Sequence, residues 1–283
     1  PIGFDGYLEI IDDGKAKRID IERIHIEEDT CKSIHKNGIT YLNYNRAGVP
    51  LVEIVTKPVI KSASEAMKYL ETLRELLFYL GVSDCKMEEG SMRADINISL
   101  SNNETLGTKV EIKNLGSISN CGIAIDYEIK RQKRLLTSSS KVIEETRKFD
   151  AKTKSTVSMR VKEIGNDYRY FPEPDIPYIY IDNKTIEKVK SSLIFLPNER
   201  RNIYKSKLIP EKNIEKLIAN KELSDFLNKY LDYEMNFKIA SNILLEDITS
   251  YLNKKSISIN QTNLDQKFYD LVTKLDNGSI SSK

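Results

Sequence analysis

The chain has 283 residues, of which 40% are hydrophobic and 30% are charged. This balance is typical of a globular protein and excludes a disordered one, and the length suits one large domain or two. Forty-four Lys and Arg against 42 Asp and Glu leave a formal net charge of +2, which neither favours nor excludes a nucleic-acid partner. No apolar run approaches the roughly 20 residues of a membrane-spanning helix, and the spacing of the three cysteines excludes a zinc or disulfide motif.

A β-hairpin is the first predicted element. Residues 7–11 and 16–26 are rich in strand-forming residues, and the Asp-Gly pair between them favours a tight turn. The isoleucines of the second strand change phase part-way along, which predicts a bulge near Glu22 and Arg23. Bulges often redirect side chains beside functional sites, so we expect this strand to matter for function.

Three successive carboxylates follow this strand, namely Glu27, Glu28 and Asp29, directly after His25. Adjacent acids repel one another unless cations or a metal ion lie among them. A solvated acidic turn is the alternative, and the sequence leaves both open.

A further carboxylate, Glu53, lies at the centre of the apolar run 51–55. If Glu53 points inward, leaving it ionised and unpaired would cost about several kcal/mol. It would then need Arg46, Lys57 or a divalent cation as its partner. Otherwise Glu53 faces water on the outer side of the strand.

A helix follows, because residues 62–65 fit a capping box and leucines recur at helical spacing up to Gly81. We expect its leucine stripe to pack in the core.

An alternating strand, 92–100, is predicted next, behind the acidic pair Glu88 and Glu89. Its polar face presents a cation, Arg93, followed by an acid, Asp95. The strand 109–114 would pair with it and add Lys113 to the same face. Such a face fits either a salt-bridge ladder or a site for Mg²⁺ and polyphosphate.

The predicted elements change character along the chain. A basic helix at 120–136, which offers either a solvated face or an RNA contact, and a hairpin around 150–154 precede a segment rich in proline and aromatics, 167–177. Helical periodicity then replaces the strand pattern. The predicted helices are 186–196, 208–219, 223–231, 237–252 and 264–275.

The predicted fold class is therefore α+β. A mostly antiparallel-sheet catalytic domain with a few packed helices, 1–184, precedes an all-α helical domain, 185–283. No phosphate-binding loop, dinucleotide-binding fingerprint or nucleophile elbow appears.

Five strings of residues, in order along the chain, carry a family resemblance. They are Arg23-Ile-His-Ile-Glu-Glu-Asp29, Asn45-Arg-Ala-Gly-Val-Pro-Leu-Val-Glu53, Met87-Glu-Glu-Gly-Ser-Met-Arg93, Val110-Glu-Ile-Lys-Asn-Leu115 and Asp167-Tyr-Arg-Tyr-Phe-Pro172. Together they resemble the GatB subunit of the aspartyl/glutamyl-tRNA amidotransferase.

This resemblance implies a ligase that uses ATP and Mg²⁺ to phosphorylate the side-chain carboxylate of glutamate or aspartate on mischarged tRNA. Ammonia then displaces the phosphate to give the amide. The implied partners are a glutaminase subunit, which supplies the ammonia, a small third subunit, and the tRNA. The implied location is the bacterial cytoplasm, or the matrix or stroma of an organelle in a eukaryote.

The resemblance also implies site residues. Glu28 and Glu53 match family positions associated with Mg²⁺, and Asp95 is a further expected ligand. We expect Arg93 and Lys113 to contact phosphate.

The remaining expected site residues surround these. Asn114 is expected beside the phosphate, and Glu88 or Glu89 is expected to take a proton from ammonium. The family's opening strand and its tRNA-docking tail are missing from this sequence, so we expect the chain on its own to be inactive. The alternative is a non-catalytic RNA-binding scaffold in which the acids form structural ion pairs.

Overall fold

A computed structural model describes residues 1–161, 177 and 179–281, without the side chains of residues 160 and 161. The chain divides into two compact units: Pro1–Phe78 with Ser83–Pro177, and Tyr79–Val82 with Tyr178–Lys283. Helices and small sheets are both present, so the predicted α+β class is confirmed. The predicted functional division into 1–184 and 185–283 stays a prediction. The proline-rich segment lies outside the described residues apart from Pro177.

The first unit contains strands that form three sheets, and two long helices. In chain order its elements are β1 (Gly3–Asp12), β2 (Lys15–Glu28), β3 (Lys32–Lys36), β4 (Ile39–Asn43), β5 (Pro50–Thr56), α1 (Ala63–Tyr79), β6 (Ile96–Ile98), β7 (Val110–Lys113), α2 (Ile118–Thr137), β8 (Glu145–Asp150) and β9 (Ser155–Val161).

The first sheet is antiparallel and has the strand order β1-β2-β5. The predicted hairpin is confirmed, and so is the bulge: the register of β2 against β5 shifts between Ile21 and Arg23. Beyond the bulge His25 lies opposite Glu53, and Glu28 lies opposite Pro50. Because side chains alternate between the two faces of a strand, His25 and Glu53 share a face that Glu28 does not.

The strands β3 and β4 form a separate two-stranded sheet, and every residue of both strands is exposed. The sequence predicted only a strand at 41–45, because Lys32–Lys36 has a single apolar residue and gives a weak alternation.

The third sheet has the order β6-β7-β8-β9 and is antiparallel except for the parallel pair β7-β8, which α2 connects. The predicted hairpins around 101–107 and 150–154 are confirmed. The strand predicted over 92–100 is wrong in extent, since only Ile96–Ile98 pairs with β7. The reason is the shortness of β7, whose four residues leave Met92 and Arg93 without a neighbouring strand.

The core of the first unit lies between helices and sheets. Tyr69, Leu70 and Leu73 of α1 belong to one buried cluster with Ile19 and Ile112. The helix begins as predicted, with Ser62 Oγ accepting a hydrogen bond of 3.1 Å from the Glu65 amide.

The described residues of the second unit are helical and contain no strand. Its helices are α3 (Asn183–Ser191), α4 (Pro197–Ser206), α5 (Glu211–Ala219), α6 (Lys221–Asn228), α7 (Phe237–Ile243), α8 (Thr249–Lys255) and α9 (Asp265–Asp276). A π-helical turn, Leu244–Ile248, joins α7 to α8, so the helix predicted over 237–252 forms. The helix α4 was missed because its first residue, Pro197, resembled a break, whereas proline is favoured at that position. Across the described part of the chain we find no helix with the length and hydropathy of a membrane span.

Candidate active site

Three possible metal ligands meet on the exposed face of β2 and β5. The Nε2 atom of His25 is 2.7 Å from Glu27 Oε1 and 2.6 Å from Glu53 Oε2. The Glu53 side chain is 50% exposed, so Glu53 faces water and does not point inward. Its partner is His25 and not Arg46 or Lys57, which pair with Asp29 and Asp5.

The chemistry of these donors fits a divalent cation. One ligand atom from each of His25, Glu27 and Glu53 lies within 4.8 Å of the other two. Two carboxylates suit Mg²⁺, and an imidazole is also accepted by Mn²⁺ and Zn²⁺. The two acids would hold the ion by charge while the neutral imidazole supplies a nitrogen.

The expected ligand set differs from this group. Among the described residues, the only group of three metal-capable side chains is the one above, and it contains neither Glu28 nor Asp95. Glu28 lies on the opposite face of β2 because of the register beyond the bulge. The carboxylate of Asp95 instead accepts a 2.5 Å hydrogen bond from Lys113. We missed Glu27, although its spacing of two residues from His25 predicts a shared strand face.

A second group of charges lies where β2 ends. The Oδ2 atom of Asp29 accepts hydrogen bonds from Nε of Arg46, at 2.9 Å, and from Nη2 of Arg93. The hydrogen bond from Arg93 lowers the pKa of Asp29 below its usual range, although partial burial opposes this. Asp29 lies two residues beyond Glu27, which is about 7 Å of extended chain.

These three residues line a cleft of about 500 Å³. The other lining residues are Thr30, Cys31, Lys32, Asn43 and Asn45. Arg93, expected to contact phosphate, therefore lies in a cleft beside the possible metal ligands.

The loop that carries Glu88 and Glu89 is held against this cleft. Arg46 donates from Nη1 to the carbonyl oxygen of Gly90 at 2.9 Å. Gly90 has a φ of +77°, and a Cβ there would lie 3.0 Å from the same Nη1 atom, so the close approach requires glycine. Glu89 pairs with Lys86 at 2.9 Å, and Glu88 is exposed.

Lys113 and Asn114 are engaged with the protein itself. Lys113 Nζ is 2.5 Å from Asp95 and 3.3 Å from Glu111. Burial acts to lower the pKa of Lys113, but the hydrogen bond and charge of Asp95 outweigh it and raise that pKa. The Asn114 amide donates to the Phe149 carbonyl oxygen at 3.1 Å. The salt-bridge alternative is therefore correct for Asp95 and Lys113.

The predicted basic face of α2 is smaller than its sequence indicates. Arg131 turns inward, and its Nε and Nη2 atoms lie 2.9 and 2.7 Å from the two carboxylate oxygens of Glu128, a fully buried residue. Lys130, Lys133 and Arg134 remain exposed.

Comparison with known proteins agrees with this arrangement of acids and arginines. Residues 1–187 match the family model described as the GatB/GatE catalytic domain. The chain belongs to the GatB/GatE family. Its similar GatB/GatE relatives include proteins named as the B subunit of aspartyl/glutamyl-tRNA(Asn/Gln) amidotransferase from Enterococcus faecalis, at 46% identity over 288 residues, and from Staphylococcus epidermidis and Staphylococcus aureus, each at 44% over 287. These alignments cover 100% of this chain and 60% of each relative, so the chain spans about 60% of the length of the curated GatB proteins it matches.

Proposed function

We propose that this chain supplies the activation and amidation site of a tRNA-dependent amidotransferase, a ligase that converts Glu-tRNA(Gln), Asp-tRNA(Asn) or both to the amide form. The names of its relatives support the reaction class. The observation that carries the proposal is the proximity of a possible metal group, on His25, Glu27 and Glu53, to a cleft lined by Arg46 and Arg93.

The reaction needs two groups of opposite charge. An oxygen of the substrate carboxylate attacks the γ-phosphorus of ATP, and ADP leaves, giving an acyl phosphate. The nitrogen of ammonia then attacks the acyl carbon, and inorganic phosphate leaves. When bound, Mg²⁺ neutralises charge on the transferred phosphoryl group.

The residues of the chain have separate roles in this proposal. Glu27, Glu53 and His25 hold the cation, and Arg93 orients phosphate oxygens through charge-assisted hydrogen bonds. Glu88 or Glu89 takes the proton that ammonium loses before its nitrogen attacks. Lys113 acts on phosphate only if it leaves Asp95, so we assign it to positioning Asp95 and the β6-β7 hairpin.

The proposal includes partners. A glutaminase subunit supplies ammonia, a small third subunit joins the complex, and the mischarged tRNA brings the carboxylate. The complex is expected to work in the cytoplasm of a bacterium or inside an organelle.

The test is amide synthesis by the assembled complex, measured as the conversion of Glu-tRNA(Gln) to Gln-tRNA(Gln). We expect a strict requirement for ATP and Mg²⁺, release of ADP and phosphate in equal amounts with product, and a loss of about 10²-fold in Glu53→Gln. Product formed without ATP, or release of AMP and pyrophosphate, would contradict the proposed chemistry.

A scaffold that only binds RNA is the second candidate, and the closed Asp95–Lys113 pair favours it. In that case tRNA binding would persist while ATP cleavage by the assembled complex stayed at background. The inward position of Arg131 weakens this candidate, because it removes a cation from the expected RNA-binding face of α2.

A further inference from the structure

We infer that the cleft at the base of the β3-β4 hairpin is a phosphate-binding site formed by Arg46, Arg93 and Lys32. The inference deepens the proposed function and rests on it only for the identity of the compound that carries the phosphate. The compound is either a nucleotide, through its phosphate chain, or single-stranded RNA, through its backbone.

The cleft is positively charged. Its lining contains three cations and a single acid, Asp29, so the formal sum is +2. From residue 30 to residue 52 the sequence has no Asp or Glu, although the whole chain has 42 of them. This local excess attracts an anion at a point where the overall charge of the chain is close to neutral.

The two guanidinium groups are held in place and still carry further donors. Both bind Oδ2 of Asp29, and Arg46 also binds the Gly90 carbonyl oxygen. Each guanidinium has five N–H donors, and these contacts use two on Arg46 and one on Arg93. An arginine fixed by a carboxylate loses little conformational freedom when it binds a phosphate oxygen.

The position of the cleft favours phosphate over a simple carboxylate. Asp29 follows the strand that presents His25 and Glu27, so a phosphate chain in the cleft extends towards possible metal ligands. Asn43 and Asn45 add neutral hydrogen-bonding groups to its wall. The cation predicted for this role, Lys113, is instead paired with Asp95.

The hairpin offers a matched pair of lysines for the test. Lys32 lines the cleft, whereas Lys36 lies at the other end of the same exposed strand and outside the lining. We propose calorimetric titration of the 283-residue chain, without Mg²⁺, with inorganic triphosphate, ATP and a single-stranded RNA decamer. Circular dichroism of each variant would confirm folding.

We expect triphosphate to bind, Lys32→Ala to weaken it about threefold or more, and Arg46→Lys, which loses the planar fork, to weaken it about tenfold. Lys36→Ala should bind as the wild type does. ATP following the triphosphate pattern assigns the phosphate to a nucleotide, and the same pattern with RNA alone assigns it to RNA.

The inference is overturned if none of the three probes binds, or if Lys36→Ala loses as much affinity as Lys32→Ala. Failure of amide synthesis in the assembled complex, with this binding pattern intact, would overturn the proposed function and leave the site in place.

Discussion

Asp29 joins the two halves of the candidate site through one carboxylate oxygen. It closes the strand that carries His25 and Glu27, and it binds Arg46 and Arg93. The sequence indicated that the acids at 27–29 need cations among them, and for Asp29 this is correct. Its partners could not be identified from the sequence, because Arg93 is 64 residues away and reaches it only through the tertiary fold.

The pH dependence of stability tests this pairing. The pKa of Asp29 is lowered from its usual value of 3.8, so the stability it contributes is fully present above that pH and is lost as the pH falls through the lowered pKa. We expect the difference in unfolding free energy between wild type and Asp29→Asn to shrink as the pH falls below about 4. Urea unfolding at a series of pH values measures it, and a difference that stays constant would show that the pairing contributes nothing.

At the scale of elements, the bulge in β2 decides which acids meet. The sequence predicted the bulge, the β1-β2 hairpin and a helix in place of α2. It did not predict which of Glu27 and Glu28 faces Glu53, because a slip of one residue moves every side chain beyond it to the other face. The pairing of β2 with β5, across a long connection, fixes that phase.

The helix α2 is fixed to its sheet by a buried ion pair. Glu128 is fully buried and accepts hydrogen bonds from Arg131, Gln132 and Thr156. Removing a partner from a buried charge costs about 3 kcal/mol, so we expect Arg131→Met to lower the free energy of unfolding by about that amount. Lys130→Met, at the exposed neighbouring position, is the control and should change it by less than about 0.5 kcal/mol. Equal effects of the two substitutions would mean that the pair is not structural.

At the scale of the whole molecule, sequence patterns identified the α+β class and the change from strands to helices. Family membership followed from strings that run through the first unit, since local sequence is retained where the site residues cluster. The expected metal set was only partly right, because a resemblance transfers positions along a chain and not the register that orients them.

The binding of Mn²⁺, a paramagnetic substitute for Mg²⁺, tests the central claim that His25, Glu27 and Glu53 form a cation site. Titration of the chain followed by electron paramagnetic resonance gives the affinity of each variant. We predict that Glu27→Gln and Glu53→Gln each weaken Mn²⁺ binding by about tenfold or more, since each removes a charged ligand. Glu28→Gln, on the opposite face, should bind as the wild type does. Loss of binding in Glu28→Gln with retention in Glu27→Gln would contradict the site.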